Sequence, residues 1–232
     1  MVMKRMVAPK FWPVERKTKK YVIEPRPGPH SKYFSVPLGV ILRDILRYAF
    51  STAESRHILN AGHVLVDGKL RREVGFPVGL MDIVTVGEEH YRVLTTKRGL
   101  ALMPIDKKEA GIKLCRLEGK TSIKKGKIQA HLHDGHNMIL ENAKYKTGDV
   151  LVFDTATKKI KDVIKLEKGS RVLIIRGNNM GSLGTVEDVV VTKSSMPNQV
   201  VVDIGPRKIA LPHTYVFAVG RPEPVIKLGE AR

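Results

Sequence analysis

The chain has 232 residues, and its 41 Lys and Arg against 23 Asp and Glu give a formal charge of +18 and a pI near 10.0, a balance that calls for a polyanionic partner, nucleic acid first. Its 42% of apolar residues suffices for ordinary globular cores spread over two or three small domains. No apolar run spans a bilayer and no strongly amphipathic basic helix is present, which sets membrane binding aside. The stretch Met6, Val7, Ala8 runs at once into Pro9 and Lys10, so no apolar core of a signal peptide is read and a cytoplasmic protein is expected.

Residues 1–36 read as a basic arm. Seven cations, Lys4, Arg5, Lys10, Arg16, Lys17, Lys19 and Lys20, face Glu15 alone between positions 4 and 20, a density that cannot bury itself. Pro9, Pro13, Pro25, Pro27 and Pro29 prevent long helices, while Phe11, Trp12, Tyr21, Tyr33 and Phe34 interleave flat rings with the charge. Rings stack on unpaired bases and cations meet phosphates. Lys10, Trp12, Arg16, Lys17, Lys19, Lys20, Arg26 and His30 are therefore candidate RNA contacts, the alternative being a solvated tail with its aromatics docked on the next domain.

The second segment, 37–103, starts helical, with Leu38, Leu42, Ile45 and Ala49 forming one apolar stripe beside Arg43 and Arg47. A second helix opens with a capping box from Ser51 to Glu54 and ends near Ala61, with Gly62 as its C-terminal cap. Arg56 and Asn60, four residues apart, share a face that can touch backbone or base edges. Val64-Leu65-Val66, Asp67-Gly68 and Lys69-Leu70-Arg71 spell a two-residue hairpin with Gly68 in its turn, closed by a strand at Ile83 to Val86. Arg43, Arg47, Arg56, Asn60, Lys69, Arg71 and Arg72 are the candidate contacts of this small α/β domain.

Residues 104–167 read as short strands punctuated by Gly111, Gly119, Gly126, Gly135 and Gly148, a β-rich central domain. Cys115, the only cysteine, lies in the strand-like run Ile112 to Leu117 and reads as a small core residue, so neither an intrachain disulfide nor a cysteine-built zinc site is available. The run His131-Leu132-His133-Asp134-Gly135-His136 is dense enough to suggest zinc. Its aspartate, however, falls one place early for a His-x-His-x-Asp-His hydrolase and would leave a continuing strand on the opposite face from His131 and His133. A turn facing RNA or solvent is expected instead, and no metal or other cofactor.

In 168–220, Arg171 to Arg176 is a strand, followed by a turn rich in Gly and Asn and a strand from Thr185; Gln199 to Ile204, Lys208 to Leu211 and Tyr215 to Val219 add further strands of a small barrel. Gly177, Gly181 and Gly184 suit angles closed to other residues and let the loop approach a phosphate chain. Arg176, Asn178, Arg207 and Lys208 are the candidate contacts here. Gly177-Asn178-Asn179-Met180-Gly181 is not a nucleotide loop, since no Gly-Lys-Ser or Gly-Lys-Thr follows and the next element is a strand. The tail, 221–232, is short, proline-marked and expected to run extended along a neighbour.

Three resemblances accompany these readings. Residues Ser51 through Lys69 resemble the S4-type RNA-binding module, which occurs in ribosomal proteins, tyrosyl-tRNA synthetases and pseudouridine synthases, and Gly169 to Val186 resembles the KOW motif of ribosomal and elongation proteins. Ala8-Pro9-Lys10-Phe11-Trp12-Pro13, Pro27-Gly28-Pro29-His30 and Phe76-Pro77-Val78-Gly79-Leu80-Met81-Asp82 resemble the archaeal and eukaryotic S4e family of small-subunit ribosomal proteins, over nearly the whole chain. That resemblance implies an α+β, mostly β, multidomain protein ending in a Src-homology-three-like small β-barrel. It further implies small-subunit ribosomal RNA and neighbouring small-subunit ribosomal proteins as partners, no small-molecule substrate and no catalysis. The competing reading is an RNA-modifying enzyme or translation factor that docks through the S4-like module, but the other 130 or so residues leave no room for a catalytic domain, no serine sits in a nucleophile elbow and no carboxylates pair as acid and base.

Overall fold

The computed structural model describes residues 2–140, 144–157, 159–194, 196–205 and 207–228. The chain divides into two compact units, one holding the chain up to Leu94 together with Arg98–Lys113, the other holding Thr95–Lys97 and the chain from Leu114.

In the first unit β1 (Val2–Lys4) pairs antiparallel with β2 (Tyr21–Ile23), and β3 (Ser35–Pro37) leads into a single helical turn, α1 (Leu38–Val40). The apolar stripe expected to carry a helix to Ala49 is real, with Leu38, Leu42 and Ala49 buried, but the helix stops early. From Ile41 to Ile45 it widens to π geometry, Leu46 donates to the Ile41 carbonyl at 2.8 Å, and Arg47 takes a left-handed φ of 60° that no helix continues through. Helix α2 (Thr52–Asn60) begins as expected. The Ser51 hydroxyl accepts from the Glu54 amide at 3.1 Å, and the Glu54 carboxylate accepts from the Phe50 amide at 2.9 Å and from the Ser51 hydroxyl at 2.9 Å. Those hydrogen bonds hold the Glu54 carboxyl below its ordinary value.

Strands β4 (Val64–Val66) and β5 (Lys69–Leu70) form the two-residue hairpin; Asp67 and Gly68 have φ of 51° and 72°, the pair of positive angles that a type I′ turn needs. A short strand β6 (Pro77–Gly79) pairs with β3, and β7 (Ile83–Val86), β8 (Glu89–Thr96) and β9 (Gly99–Ile105) complete a sheet ordered β5-β4-β7-β8-β9.

The basic arm does not stand apart. Trp12 is 3% exposed and its indole N–H donates to the Ser35 carbonyl at 2.8 Å, within a core that also takes Met3, Ala8 and Val22. Arg5, 2% exposed, pairs with Asp44 at 3.1 Å. Trp12 is thus a core residue, since one large ring with a satisfied N–H gains more from burial than from exposure, and it is withdrawn from the predicted RNA contacts. The same correction applies to His30, which is buried and pairs through Nε2 with the Asp82 carboxylate at 2.9 Å. Asp82 also meets Lys113 Nζ at 2.7 Å, and Lys113 meets Asp67 at 2.7 Å, so one buried network ties the hairpin turn to the segments carrying His30, Asp82 and Lys113.

In the second unit β10 (Ile112–Ser122, shared at its first two residues with the first unit), β11 (Ile128–Leu132), β12 (Asn137–Leu140), β13 (Val150–Asp154) and β14 (Ile160–Ile164) form a sheet ordered β12-β11-β10-β13-β14. A further sheet, ordered β18-β17-β16-β15-β19, comprises β15 (Arg171–Ile174), β16 (Leu183–Val190), β17 (Gln199–Asp203), β18 (Lys208–Pro212) and β19 (Val216–Gly220). Cys115 is buried, as its strand pattern indicates. Gly184 sits within β16 rather than in the turn, and its requirement is space: a Cβ there would lie 2.4 Å from Val202 Cγ1 and 2.7 Å from the Asp203 carbonyl oxygen. The expectation that it opens the loop to a phosphate chain is corrected accordingly. The tail also departs from expectation, folding back so that Val225 donates to the Val219 carbonyl at 2.9 Å and Ile226 is buried; residues 229–232 of that segment lie outside the described residues.

Burial, the neighbouring negative Asp82 and the opposing pull of Lys113 set the Asp67 carboxyl at about 6. Burial would raise Asp82 too, but Lys113, His30 and the Gly79 amide outweigh it and hold that carboxyl below its ordinary value. An Asp at about 3.9 in the unfolded chain and raised in the fold contributes stability below about pH 3.9 and loses it as pH climbs to the folded value, whereas Asp82 contributes above about pH 3.9 and loses it on acidification. In urea titrations Asp67→Asn should therefore gain on the wild type steadily from about pH 4 to about pH 6. Lys113→Ala, which takes the shared cation from buried Asp82 and half-buried Asp67, should cost about 3–5 kcal/mol at neutral pH.

Candidate nucleic-acid interface

On α2, Arg56 lies one turn before Asn60, and both are exposed. Their side chains line a cleft of about 340 Å³ together with Thr52, Arg26 and Arg72. The backbone fixes its shape, because the Arg26 amide donates to the Gly75 carbonyl at 2.8 Å and holds the segment after β2 against the segment after β5. The Arg26 guanidinium meets Glu73 at 3.2 Å, each side chain about half exposed, so part of its charge is answered. By contrast no hydrogen bond or ion pair within the described residues engages the side chains of Arg56, Asn60 or Arg72. Four predicted contacts from three distant stretches of sequence thus converge on one opening. Two guanidinium groups with unspent forks and one amide are the donors that phosphate oxygens accept from. Thr52 belongs to the same stripe and was legible as the first member of the series 52, 56, 60, although it reads equally as an ordinary first-turn residue.

The other predicted contacts of the first unit divide by whether the fold already uses them. Lys10, Lys17 and Lys19 are exposed, as is Arg47 beyond the π turn, and Lys20 lies over the Tyr21 ring at 5.4 Å. Arg71 stacks its guanidinium over Phe76 at 4.3 Å, and Lys69, half-buried, stands beside it on the hairpin. Arg16 donates to the carbonyls of Met6 and Pro9 at 3.2 and 2.8 Å, which shapes the arm. Arg43 is corrected outright: its side chain is 8% exposed and spent on Asp44 at 2.7 Å and on the Thr52 hydroxyl at 2.9 Å, so it braces the junction of the two helices instead of reaching outward.

In the second unit Arg176 is half-buried and Asn178 exposed, in a turn where Gly177 and Gly181 have φ of 88° and 82°. Burial, then the charge of Arg116, lowers the Arg176 guanidinium from its ordinary value, against the opposing pull of Glu118. Arg207 is exposed, whereas Lys208 is paired with Glu187. The histidine cluster turns as expected after Leu132, but Asp134 does not face outward. It is 3% exposed, lies 3.5 Å from Cys115 Sγ and 3.2 Å from His136 Nδ1, and accepts from the His136 amide. Ligand atoms of Cys115, His133 and Asp134 lie within 4.8 Å of one another. His133 Nδ1 accepts the Arg116 amide at 3.1 Å, the arrangement of a neutral ring protonated on Nε2. His131 is likewise engaged, by Thr121 and Asn137, both at 2.7 Å. The cluster is a polar turn whose groups satisfy one another.

Family models match along the chain: the "RS4NT (NUC023) domain" over residues 3–33, the "S4 domain" over 37–84 and "Ribosomal family S4e" over 87–160. The protein "Small ribosomal subunit protein eS4" of Methanothermobacter thermautotrophicus is 42% identical over 230 residues, covering 97% of this chain and 95% of its own. Its namesake from Pyrobaculum aerophilum is 42% identical over 233 residues, covering 97% and 98%. The crystal structure of the 30S ribosomal protein S4e from Thermoplasma acidophilum superposes with a TM-score of 0.72 at 32% identity, covering 81% of this chain and 95% of that one.

Spent and unspent cations should separate in stability measurements. Arg56→Gln and Arg72→Gln should each stay within about 0.5 kcal/mol of the wild type in chemical denaturation, while Arg43→Ala, which leaves the Asp44 carboxylate short of a partner, should cost about 1–3 kcal/mol.

Proposed function

The chain belongs to the ribosomal S4e family and has its structural role in the small ribosomal subunit, and from that premise we propose that it holds folded small-subunit ribosomal RNA through the cleft of its first unit. The observation that carries this reading is the convergence of Arg56, Asn60 and Arg72, none engaged by another of the described residues, on one opening. Phosphates fill such a site because each cation placed there releases a condensed counterion from the RNA, and the amide of Asn60 adds a contact to sugar or base edge. Lys10, Lys17, Lys19, Lys20, Arg26, Arg47, Lys69 and Arg71 extend the phosphate track around the first unit, and Arg16 shapes the arm that carries part of it.

Residues 37–103 are the docking module, preceded by the arm at 1–36, and 104–167 form the β-rich central domain. The five-stranded sheet β18-β17-β16-β15-β19 supports reading 168–220 as a KOW-containing small barrel of Src-homology-three-like type, in which Arg176, Asn178 and Arg207 meet a second stretch of RNA. Neighbouring small-subunit proteins are the remaining partners, the ribosome in the cytoplasm is the location, and the role is mechanical, with no reaction to catalyse.

Filter binding to small-subunit RNA over a salt series tests this. If about eight phosphates are neutralised, log affinity should fall against log salt with a slope of about −7, and the double variant Arg56→Gln/Arg72→Gln should flatten it by about 2. A double variant with the wild-type slope would remove the cleft from the RNA interface.

A further inference from the structure

Phe50 is 85% exposed, the highest value among the large apolar side chains of the described residues. It does not belong to a loose loop. Its amide donates to the Glu54 carboxylate at 2.9 Å, and Ser51, the next residue, is the N-cap of α2. The backbone beneath the ring is therefore fixed by the same cap that starts the helix, and the ring is held outward from a rigid corner. Tyr48, two residues earlier, is differently placed: its hydroxyl is held by Glu89 and Tyr91, which ties it to the sheet.

The position of that corner relative to the cleft is what gives the exposure meaning. Thr52 lines the cleft and lies two residues from Phe50, a distance the chain spans in at most about 7 Å, roughly one nucleotide step of an extended strand. The charge around the corner favours the same occupant. Arg47 on one side and Arg56 on the other are exposed cations, while the carboxylates nearest in sequence, Asp44 and Glu54, are consumed by Arg5 and Arg43 and by the helix cap respectively. Exposed arginines three residues before and six residues after the ring add nothing to an apolar protein contact, whereas a nucleotide strand offers a π face to the ring and phosphates to such cations.

We infer that the Phe50 ring stacks on an unpaired nucleobase of the RNA strand whose phosphates occupy the cleft, so that the module recognises a single-stranded or bulged nucleotide beside its phosphate track. This rests on the reading of the cleft as an RNA site. The ring supplies selectivity for an exposed base without choosing among bases, since every base has a π face.

The test uses the chain's one tryptophan, Trp12, which is buried. The full-length double variant Trp12→Phe/Phe50→Trp places a sole reporter at the corner, and Trp12→Phe alone is the silent control. Small-subunit RNA free of protein is titrated in, with binding followed in the same samples by filter retention. Stacking on a base should quench the fluorescence in step with binding, and Phe50→Ala should weaken binding by about tenfold or more, with Phe50→Trp retaining it. Retention of RNA with unchanged fluorescence and unchanged affinity of Phe50→Ala overturns the inference and leaves the cleft reading intact. A blue shift with enhancement that needs other ribosomal proteins to be added overturns it in favour of a protein contact. Absence of RNA retention by the wild type overturns both.

Discussion

The first unit depends on a buried carboxylate and a half-buried one that share one lysine. Lys113 Nζ lies 2.7 Å from both Asp67 and Asp82, and His30 adds a second partner to Asp82 at 2.9 Å. Attraction inside a low-dielectric interior does little more than repay the desolvation of the ions, so the network is better understood as a constraint than as a source of stability. What it constrains is position. Asp67 is the first turn residue of the hairpin that carries Lys69 and Arg71, and its second oxygen accepts the Ile83 amide at 3.0 Å. The turn of that basic hairpin, at the edge of the sheet, is thereby tied to β7 and to Lys113.

A second theme is that a strongly basic chain must decide which cations to keep. Arg5, Arg43, Arg92 and Lys113 are buried or nearly so and are consumed by carboxylates or by carbonyls, as where Arg92 donates to the Glu109 and Ile112 carbonyls at 3.0 and 2.7 Å. In the second unit Arg116 does the same, spanning the Thr214 and Val216 carbonyls at 2.9 and 3.1 Å. Each of these ties its own segment to another, and the four arginines do so with a planar fork of donors. Among the described residues, Lys10, Lys17, Lys19, Arg56 and Arg72 are exposed cations engaged by no hydrogen bond or ion pair, and they lie on the arm and in the cleft. Net charge alone describes the sum of both populations and says nothing about their division.

Much of this was readable in the residues themselves. The capping box at Ser51 and Glu54, the Asp67-Gly68 turn and the strand Ile83 to Val86 are local signals, each satisfied by neighbours a few positions away, and each lies where the pattern places it. The pair Arg56 and Asn60 was legible for the same reason, although the cleft they line was not, since its other residues arrive from positions 26 and 72. Failures came from long-range partners. Nothing near Trp12 announces that its N–H will meet Ser35, and nothing near His30 announces Asp82; a flat ring beside lysines reads as a stacking surface until the fold closes over it. The helix that should have reached Ala49 ended at a π turn because Arg47 adopts a left-handed angle, a choice written in no propensity scale.

The order in which the chain leaves the ribosome gives the shared lysine a further consequence. Asp82 precedes Lys113 by 31 positions and Asp67 precedes it by 46. Synthesis proceeds at roughly 5–20 residues per second and folding runs from the N-terminus, so for several seconds the nascent first unit holds its hairpin, both helices and the arm but not the cation that its interior requires. During that interval the two carboxylates must stay hydrated or protonated, and the core around them cannot close fully. Lys113 is therefore the last group of the network to be made, and its ion pairs with Asp67 and Asp82 form only after it has emerged.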